Sequence, residues 1–308
     1  MKLPSKVTIV EAGPRDGLQN EARQVPSQDK VRLIEALAET GLVRIEATSF
    51  VHPKWIPQLA DADQVLSHLR RKPGVSYSAL VPNLKGLERA VAAKVDEAVL
   101  FLSASEGHSK ANINKTIAEA VESYRPVAAE AKRAGLRVRG AIATAFGCPF
   151  DGDVDPAVVA RLAGDLHAMG CDEVAVCDTV GYANPRQVEE VVRRVAAGVP
   201  LERIALHFHD TRGTALANIV VGLQAGVTVF DGAVGGLGGC PYAKGATGNV
   251  ATEDLVHMLH EMGIETGVDL PKLIECAKLA QDLVGRPLES HVSKAGPVNH
   301  GGRGGLCG

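Results

Sequence analysis

Eight short apolar runs, each followed by a stretch with helical spacing, constrain this chain more than any other feature. The runs fall at residues 6–12, 44–50, 76–81, 97–104, 137–145, 173–179, 203–209 and 227–234. Several are apolar almost throughout, the pattern of parallel strands covered by helices rather than of strands with one wet face. After the first run, Val31, Ile34, Leu37 and Ala38 repeat at helical spacing, and Gly41 can close that helix. Asp155-Pro156 and Asn184-Pro185 each join an N-cap residue to a proline at the first helical position. The first of these opens a stripe of Val159, Leu162, Leu166 and Met169, stopped by Gly170. Later stripes run through Leu216, Ile219, Val220 and Leu223, then through Leu255, Met258, Leu259 and Met262. Pro126 is expected to kink or divide the helical segment after Asn114.

Eight βα units in a chain of 308 residues predict a (β/α)8 TIM barrel of the α/β class, with an open doubly wound sheet as the alternative. A further helix is expected over 269–284, outside the eight units. The tail from Gly285 is rich in Gly, Ser and Pro, lacks apolar periodicity and is expected to be flexible. The expected organisation is therefore a catalytic barrel domain over 1–284 and a tail over 285–308. A hydrophobic content of 45% is enough for one large core, and a net charge of −3 argues against a general nucleic-acid or membrane surface. No run approaches the ~18 apolar residues of a membrane span, and the first ten residues lack the apolar stretch of a signal peptide. Cysteines 148, 171, 177, 240, 276 and 307 form no C-x-x-C pair, which argues against a structural zinc site or a dithiol redox motif. Reduced thiols in a cytoplasmic protein are the expectation.

A barrel carries its chemistry at the carboxyl ends of its strands and in the loops that follow. The seventh run ends His207-Phe208-His209-Asp210. Residues two apart on a strand share a side, so both imidazoles can face the barrel mouth as half of a metal site. A pair of hydrogen-bonded histidines is the plainer reading of a lone H-x-H. The first run leads into Gly13-Pro14-Arg15-Asp16-Gly17, where Asp16 is an oxygen-ligand candidate and Arg15 a cation beside it. Closure of a barrel brings this loop near the seventh and eighth strands. After the eighth run come Gly235-Gly236-Leu237-Gly238-Gly239-Cys240-Pro241-Tyr242 and then Gly245 to Asn249. The segment lacks the ending of a phosphate-binding P-loop. Cys240 is expected at its apex, and Asn249 can offer a side-chain oxygen. Asp16, His207, His209 and Asn249 make a mixed O/N donor set without thiolate, suited to Mg2+ or Mn2+, with Zn2+ or Co2+ still in play. Glu46 and Asp178 are further acids near strand ends, either active-face groups or plain caps.

These stretches resemble one family, the hydroxymethylglutaryl-CoA lyases. The likeness lies in Gly13 through Glu21, in Thr48-Ser49-Phe50-Val51 with Pro53-Lys54-Trp55, in Pro82 through Gly86, in His207 through Asn218, and above all in Gly235 through Leu255. It runs from about residue 6 to 284, and the cysteine loop separates these lyases from Claisen-type synthases that share R-D-G and H-x-H. The resemblance implies a metal-dependent TIM barrel, commonly a homodimer, that cleaves 3-hydroxy-3-methylglutaryl-CoA to acetyl-CoA and acetoacetate, with leucine breakdown as the natural setting. It implies metal ligation by Asp16, His207, His209 and Asn249. It implies catalytic roles for Arg15, Asp16, His207 and Cys240, with Glu46 and Asp178 supporting. Arg15 is suited to a developing enolate oxygen and Cys240 to proton transfer. Cys240, Asp178 and a metal-bound water all stand as candidates for removing the hydroxyl proton. Lys110 and Asn112, after the fourth run, are candidate contacts to CoA, with a solvated surface lysine as the plainer reading. Cys307 reads as a free thiol.

The chain departs from the family pattern at Ala141, where many members carry tyrosine, and at Ala175, where serine is common. A larger, more apolar pocket follows. That keeps a related 3-hydroxyacyl-CoA, citramalyl or longer and branched, as an alternative substrate. A carbon–carbon-forming synthase and a non-catalytic acyl-CoA or metal sensor are the competing functional classes. The cysteine loop argues against the first, and the complete donor set against the second.

Overall fold

The first strand pairs in parallel with both the second and the eighth, and that double pairing closes the sheet into a barrel of order β1 to β8. The computed structural model describes residues 3–239 and 248–299. Its strands are β1 (Thr8–Glu11), β2 (Arg44–Ser49), β3 (Ser76–Leu80), β4 (Glu97–Ser103), β5 (Arg137–Ala143), β6 (Glu173–Asp178), β7 (Ile204–Phe208) and β8 (Val229–Gly232). Each lies inside one of the eight apolar runs, so the closed barrel replaces the open sheet as the architecture.

Helices α1 (Ser27–Ala38), α2 (Ala62–His68), α3 (Leu84–Ala92), α4 (Glu106–Ile113), α5 (Ile117–Arg133), α6 (Pro156–Ala168), α7 (Pro185–Val195), α8 (Ala215–Gln224) and α9 (Thr252–Glu261) connect the strands and cover the sheet. Local chemistry fixes their starts. Asp155 accepts from the Ala157 amide at 2.8 Å to cap α6, and Asn184 forms a reciprocal capping box with Gln187 at α7. Val159, Leu162 and Leu166 on α6, and Val188, Val191, Val192 and Val195 on α7, are buried as their spacing predicts. α5 runs on through Pro126 rather than dividing there. Tyr124, Val127, Ala128 and Ala131, buried on either side of the proline, hold the helix to the core. The short α4 escapes sequence periodicity because its apolar stripe is negligible.

Beyond the eight units, α10 (Leu270–Val284) packs outside the barrel as expected. The expectation of a featureless tail beyond Gly285 gives way over residues 286–295. Arg286 pairs with Glu21, Leu288 is buried, and α11 (His291–Ala295) is fastened by Asp254. The Asp254 carboxylate accepts from the Ser290 hydroxyl and from the amides of His291 and Val292 at 2.7–2.9 Å. Polar anchoring of this kind leaves no apolar repeat to read.

The barrel interior has two levels. Val10, Val99, Ala141, Ala175, Cys177, Ala205 and Val229 form an inner apolar cluster. An ion network shares the interior with them, since two-residue alternation puts Arg44, Glu97, Arg139, Glu173 and Asp231 on the same side of the sheet. Arg44 contacts Glu97 and Glu173 at 2.7–3.1 Å, and Arg139 contacts Glu173 at 2.9 Å and Asp231 at 2.7 Å. Removing one member of a buried pair strands the others. Arg44→Met should therefore cost about 3–5 kcal/mol in urea unfolding. Arg70→Met, at an exposed pair with Glu35, should leave the midpoint unchanged.

Candidate metal centre

The loop after β1 is a tight turn, Gly13–Gly17, that lifts Arg15 and Asp16 to the barrel mouth. Gly13 is required there, because a Cβ would stand 2.5 Å from Glu11 Oε1. Glu11, buried in β1, ties the two loops that flank the site. Its Oε1 accepts from the Gly13 amide at 2.7 Å and the Val234 amide at 2.9 Å, and its Oε2 accepts from the Thr252 hydroxyl at 2.6 Å. Burial pushes its carboxyl up to about 7.

Arg15 is gripped by Glu46 through two parallel bonds, Nε to Oε1 at 2.8 Å and a terminal nitrogen to Oε2 at 3.0 Å. Its other terminal nitrogen donates to Asp16 Oδ1 at 2.8 Å. Burial opposes the charge on Arg15, but Glu46 and Asp16 outweigh it and raise the pKa further. Burial likewise opposes the Asp16 carboxylate, yet Arg15 and the two histidines hold it well below the usual carboxylate range.

The second oxygen of Asp16 faces β7. It accepts from Asn249 Nδ2 at 2.8 Å and lies 3.4 Å from His209 Nε2. His207 ends β7 with its ring 5.2 Å from that of His209, as two-residue spacing predicts. Asn249 bridges back to His209 by strand-like pairing, and its Nδ2 also donates to the Leu237 carbonyl at 3.0 Å. Gly238 leaves room for this, since a Cβ would come within 2.7 Å of that same Nδ2. Asp16, His207 and His209 each present a donor atom within 4.8 Å of the others.

The fit to a cation rests on atoms left over. Both ring nitrogens of His209 and the Asn249 side-chain oxygen are buried without a hydrogen-bond partner. Unpartnered buried polar atoms are costly in a finished core, and with His209 Nε2 3.4 Å from Asp16 they fit a candidate ligand position. Asp16, His207, His209 and Asn249 are thus brought together, with Arg15 and Glu46 adjoining.

Other candidates lie elsewhere. Asp178 turns into the loop after β6, where its oxygens accept from the amides of Val180, Tyr182 and Ala183 at 2.8–3.4 Å. That occupation explains its complete burial as a loop anchor. Lys110 and Asn112 sit on α4, Lys110 half-exposed with its ammonium 3.5 Å from Glu119. Cys240 falls outside the described residues, as does Cys307. The described part of the loop ends at Gly239, whose carbonyl accepts from Asn20 at 3.0 Å.

Sequence reasoning missed Glu11, Asp231 and Arg139. His207 Nδ1 lies 3.1 Å from Asp231 Oδ2, and Asp231 Oδ1 accepts from Arg139 at 2.7 Å. Burial works against the Asp231 carboxylate, but Arg139 holds its pKa down at about 2. A charge inside a largely apolar run was the available signal in each case, alone in its run only for Asp231.

In the first turn of α4, His108 is buried between Phe101 and Phe150 with Nδ1 3.0 Å from the Ser103 hydroxyl at the end of β4. Burial lowers its pKa to about 4 from 6.5. The folded protein thus keeps it neutral while the unfolded chain takes up a proton. Its contribution to stability is complete above pH 6.5 and is lost as pH falls toward 4, about 3 kcal/mol in all. His108→Phe should flatten the parent's loss of stability over that window, as read from urea midpoints at successive pH values.

Barrel and donor set together define a (β/α)8 barrel with a candidate divalent-cation site at its mouth. The HMGL-like family model matches residues 6–280, and the chain belongs to that family, a carbon–carbon lyase. It is 52% identical over 290 residues to the hydroxymethylglutaryl-CoA lyase of Bacillus subtilis, covering 94% of this chain and 97% of that one. It is 48% identical to a 3-hydroxy-3-isohexenylglutaryl-CoA/hydroxymethylglutaryl-CoA lyase of Pseudomonas aeruginosa, over 96% of this chain and 98% of that one. The crystal structure of the Bacillus subtilis lyase superimposes with a TM-score of 0.94 at 51% identity, covering 96% of this chain and 99% of that one.

Proposed function

We propose that this chain cleaves 3-hydroxy-3-methylglutaryl-CoA to acetyl-CoA and acetoacetate. The observation that carries the reading is the convergence of unpartnered donor atoms on Asp16 beside a clamped Arg15, in a chain about half identical to lyases of that name. The methylglutaryl thioester is favoured over the citramalyl or longer branched thioesters that Ala141 and Ala175 admit because it stands in the names of all the relatives cited, the longer isohexenyl analogue standing beside it in one.

In the cleavage, the C3 hydroxyl loses its proton to a base, for which Cys240, Asp178 and water are the candidates, the C2–C3 bond breaks, and C3 becomes the ketone of acetoacetate. The electron pair passes to C2 and the thioester oxygen as an enolate, and a proton delivered to C2 completes acetyl-CoA. Asp16, His207, His209 and Asn249 would hold the cation, Mg2+ or Mn2+ by their donor types. When bound, it supplies Lewis acidity that makes the C3 hydroxyl easier to ionise. Arg15, fixed by Glu46, offers a charge that need not reorganise when the enolate oxygen forms. Cys240 delivers the proton to C2. Lys110 and Asn112 on α4 are offered to the CoA moiety. The reading carries with it residues 1–284 as the catalytic domain, a homodimer, a cytoplasmic location and a place in leucine breakdown.

The test is release of acetoacetate from hydroxymethylglutaryl-CoA by the purified protein with Mn2+, and its loss after chelation. Cys240→Ala should keep Mn2+ binding and lose most turnover. Free CoA released from acetyl-CoA and a 2-oxo acid, with no acetoacetate formed, would point to a synthase instead.

A further inference from the structure

The two histidines of the cation site are not equivalent. His209 has no hydrogen-bond partner on either ring nitrogen, whereas His207 Nδ1 meets Asp231 at 3.1 Å. Asp231 is in turn held at 2.7 Å by Arg139, which pairs at 2.9 Å with Glu173, and Arg44 joins Glu173 to Glu97. A chain of alternating charges therefore climbs the barrel interior from Glu97, the first residue of β4, to the ring of His207 at the mouth. All its members are buried.

We propose that Asp231, oriented by Arg139, is a positioning residue that presets His207 as a cation ligand. The carboxylate, already bound to a guanidinium through Oδ1, can only accept at Oδ2. The proton of a neutral His207 must then sit on Nδ1, and Nε2 carries the lone pair offered to the cation. Acceptors of this kind also fix the ring's rotation and raise its basicity as a ligand. His207 is the half of the site fixed from behind, while His209 is held in place, among the described residues, only by its approach to Asp16 at 3.4 Å. The same chain accounts for five charges buried in an otherwise largely apolar barrel interior. Dismantling one end unsettles the next, so none is readily exchanged for an apolar residue alone.

The inference rests on the cation site of the proposed function, and the experiment separates the two. In the parent protein labelled with 15N-histidine, a long-range 1H–15N spectrum should show His207 as the Nδ1–H tautomer, its signals assigned by their loss in His207→Gln. Mn2+ affinity, read from the free-ion EPR signal, should fall by about tenfold or more in Asp231→Asn. It should fall similarly in the double variant Asp231→Leu with Arg139→Met, which removes the pair together so that neither charge is left stranded. Thermal unfolding of each variant reports whether it is folded, and the tautomer in the parent is decisive even if neither variant folds. An Nε2–H tautomer at His207, or a folded double variant that binds Mn2+ within twofold of the parent, overturns the inference. A parent that binds no Mn2+ overturns the cation site itself, and this inference with it.

Discussion

Arg15→Gln should lower kcat for hydroxymethylglutaryl-CoA cleavage by about 10^3-fold, with a much smaller change in KM. The expectation follows from how the guanidinium is held. Two parallel bonds to Glu46 and one to Asp16 leave it no freedom to swing toward bulk water. Its pKa lies above the ordinary arginine value because those two carboxylates outweigh its burial, so the charge persists through the whole working pH range. A fixed charge contributes most where new negative charge appears, and in this reaction that is the thioester oxygen of the departing acetyl unit. The ground-state thioester is neutral, so binding should suffer far less than turnover. Glutamine keeps a donor but no charge, and it cannot grip both Glu46 oxygens. Arg15→Lys should recover part of the loss as a point charge that makes only one of the two bonds. Steady-state kinetics separates the cases. A raised KM with kcat intact would reduce Arg15 to a substrate anchor.

Much of this centre is readable from residue order, and the reason is geometric. Two-residue alternation puts His207 and His209 on one side of β7, and barrel closure brings the loop after β1 beside them. Neither step needs knowledge of a partner. Asp231 and Arg139 needed one. Asp231 is the lone charge of its run and Arg139 shares its run with Arg137, and alternation says only that each points inward. That Arg139 of β5 meets Asp231 of β8 depends on the stagger of strands around the barrel, to which no local pattern speaks. Asp178 shows the converse limit, its carbonyl accepting from the His209 amide at 2.9 Å beside the site. An acid at a strand end on the active face looks like a reacting group, but three loop amides downstream claim its oxygens. The strap over 286–295 is held by Asp254 and Glu21 rather than by a repeating apolar face, so composition alone made it look unstructured.

Asp16→Asn should weaken Mn2+ binding by at least about 100-fold and lower kcat/KM by about 10^3-fold or more at fixed Mn2+, a loss of several kcal/mol. Among the described residues, Asp16 is the only anion of the donor set at the site, the others being two imidazoles and an amide. Without it, Arg15 keeps only Glu46 as its counter-charge and the cation position loses the carboxylate facing it, so the local field becomes much less attractive to a cation. The amide also replaces an acceptor with a donor at one oxygen, which must then oppose either Asn249 Nδ2 or the Arg15 guanidinium. Both consequences act on the cation before any substrate is present, which sets this variant apart from Arg15→Gln. Raising Mn2+ should therefore restore part of the Asp16→Asn activity and none of the Arg15→Gln activity. If Mn2+ binds the Asp16→Asn protein as tightly as the parent, Asp16 is no ligand. Its hold on Arg15 would then have to account for whatever activity is lost.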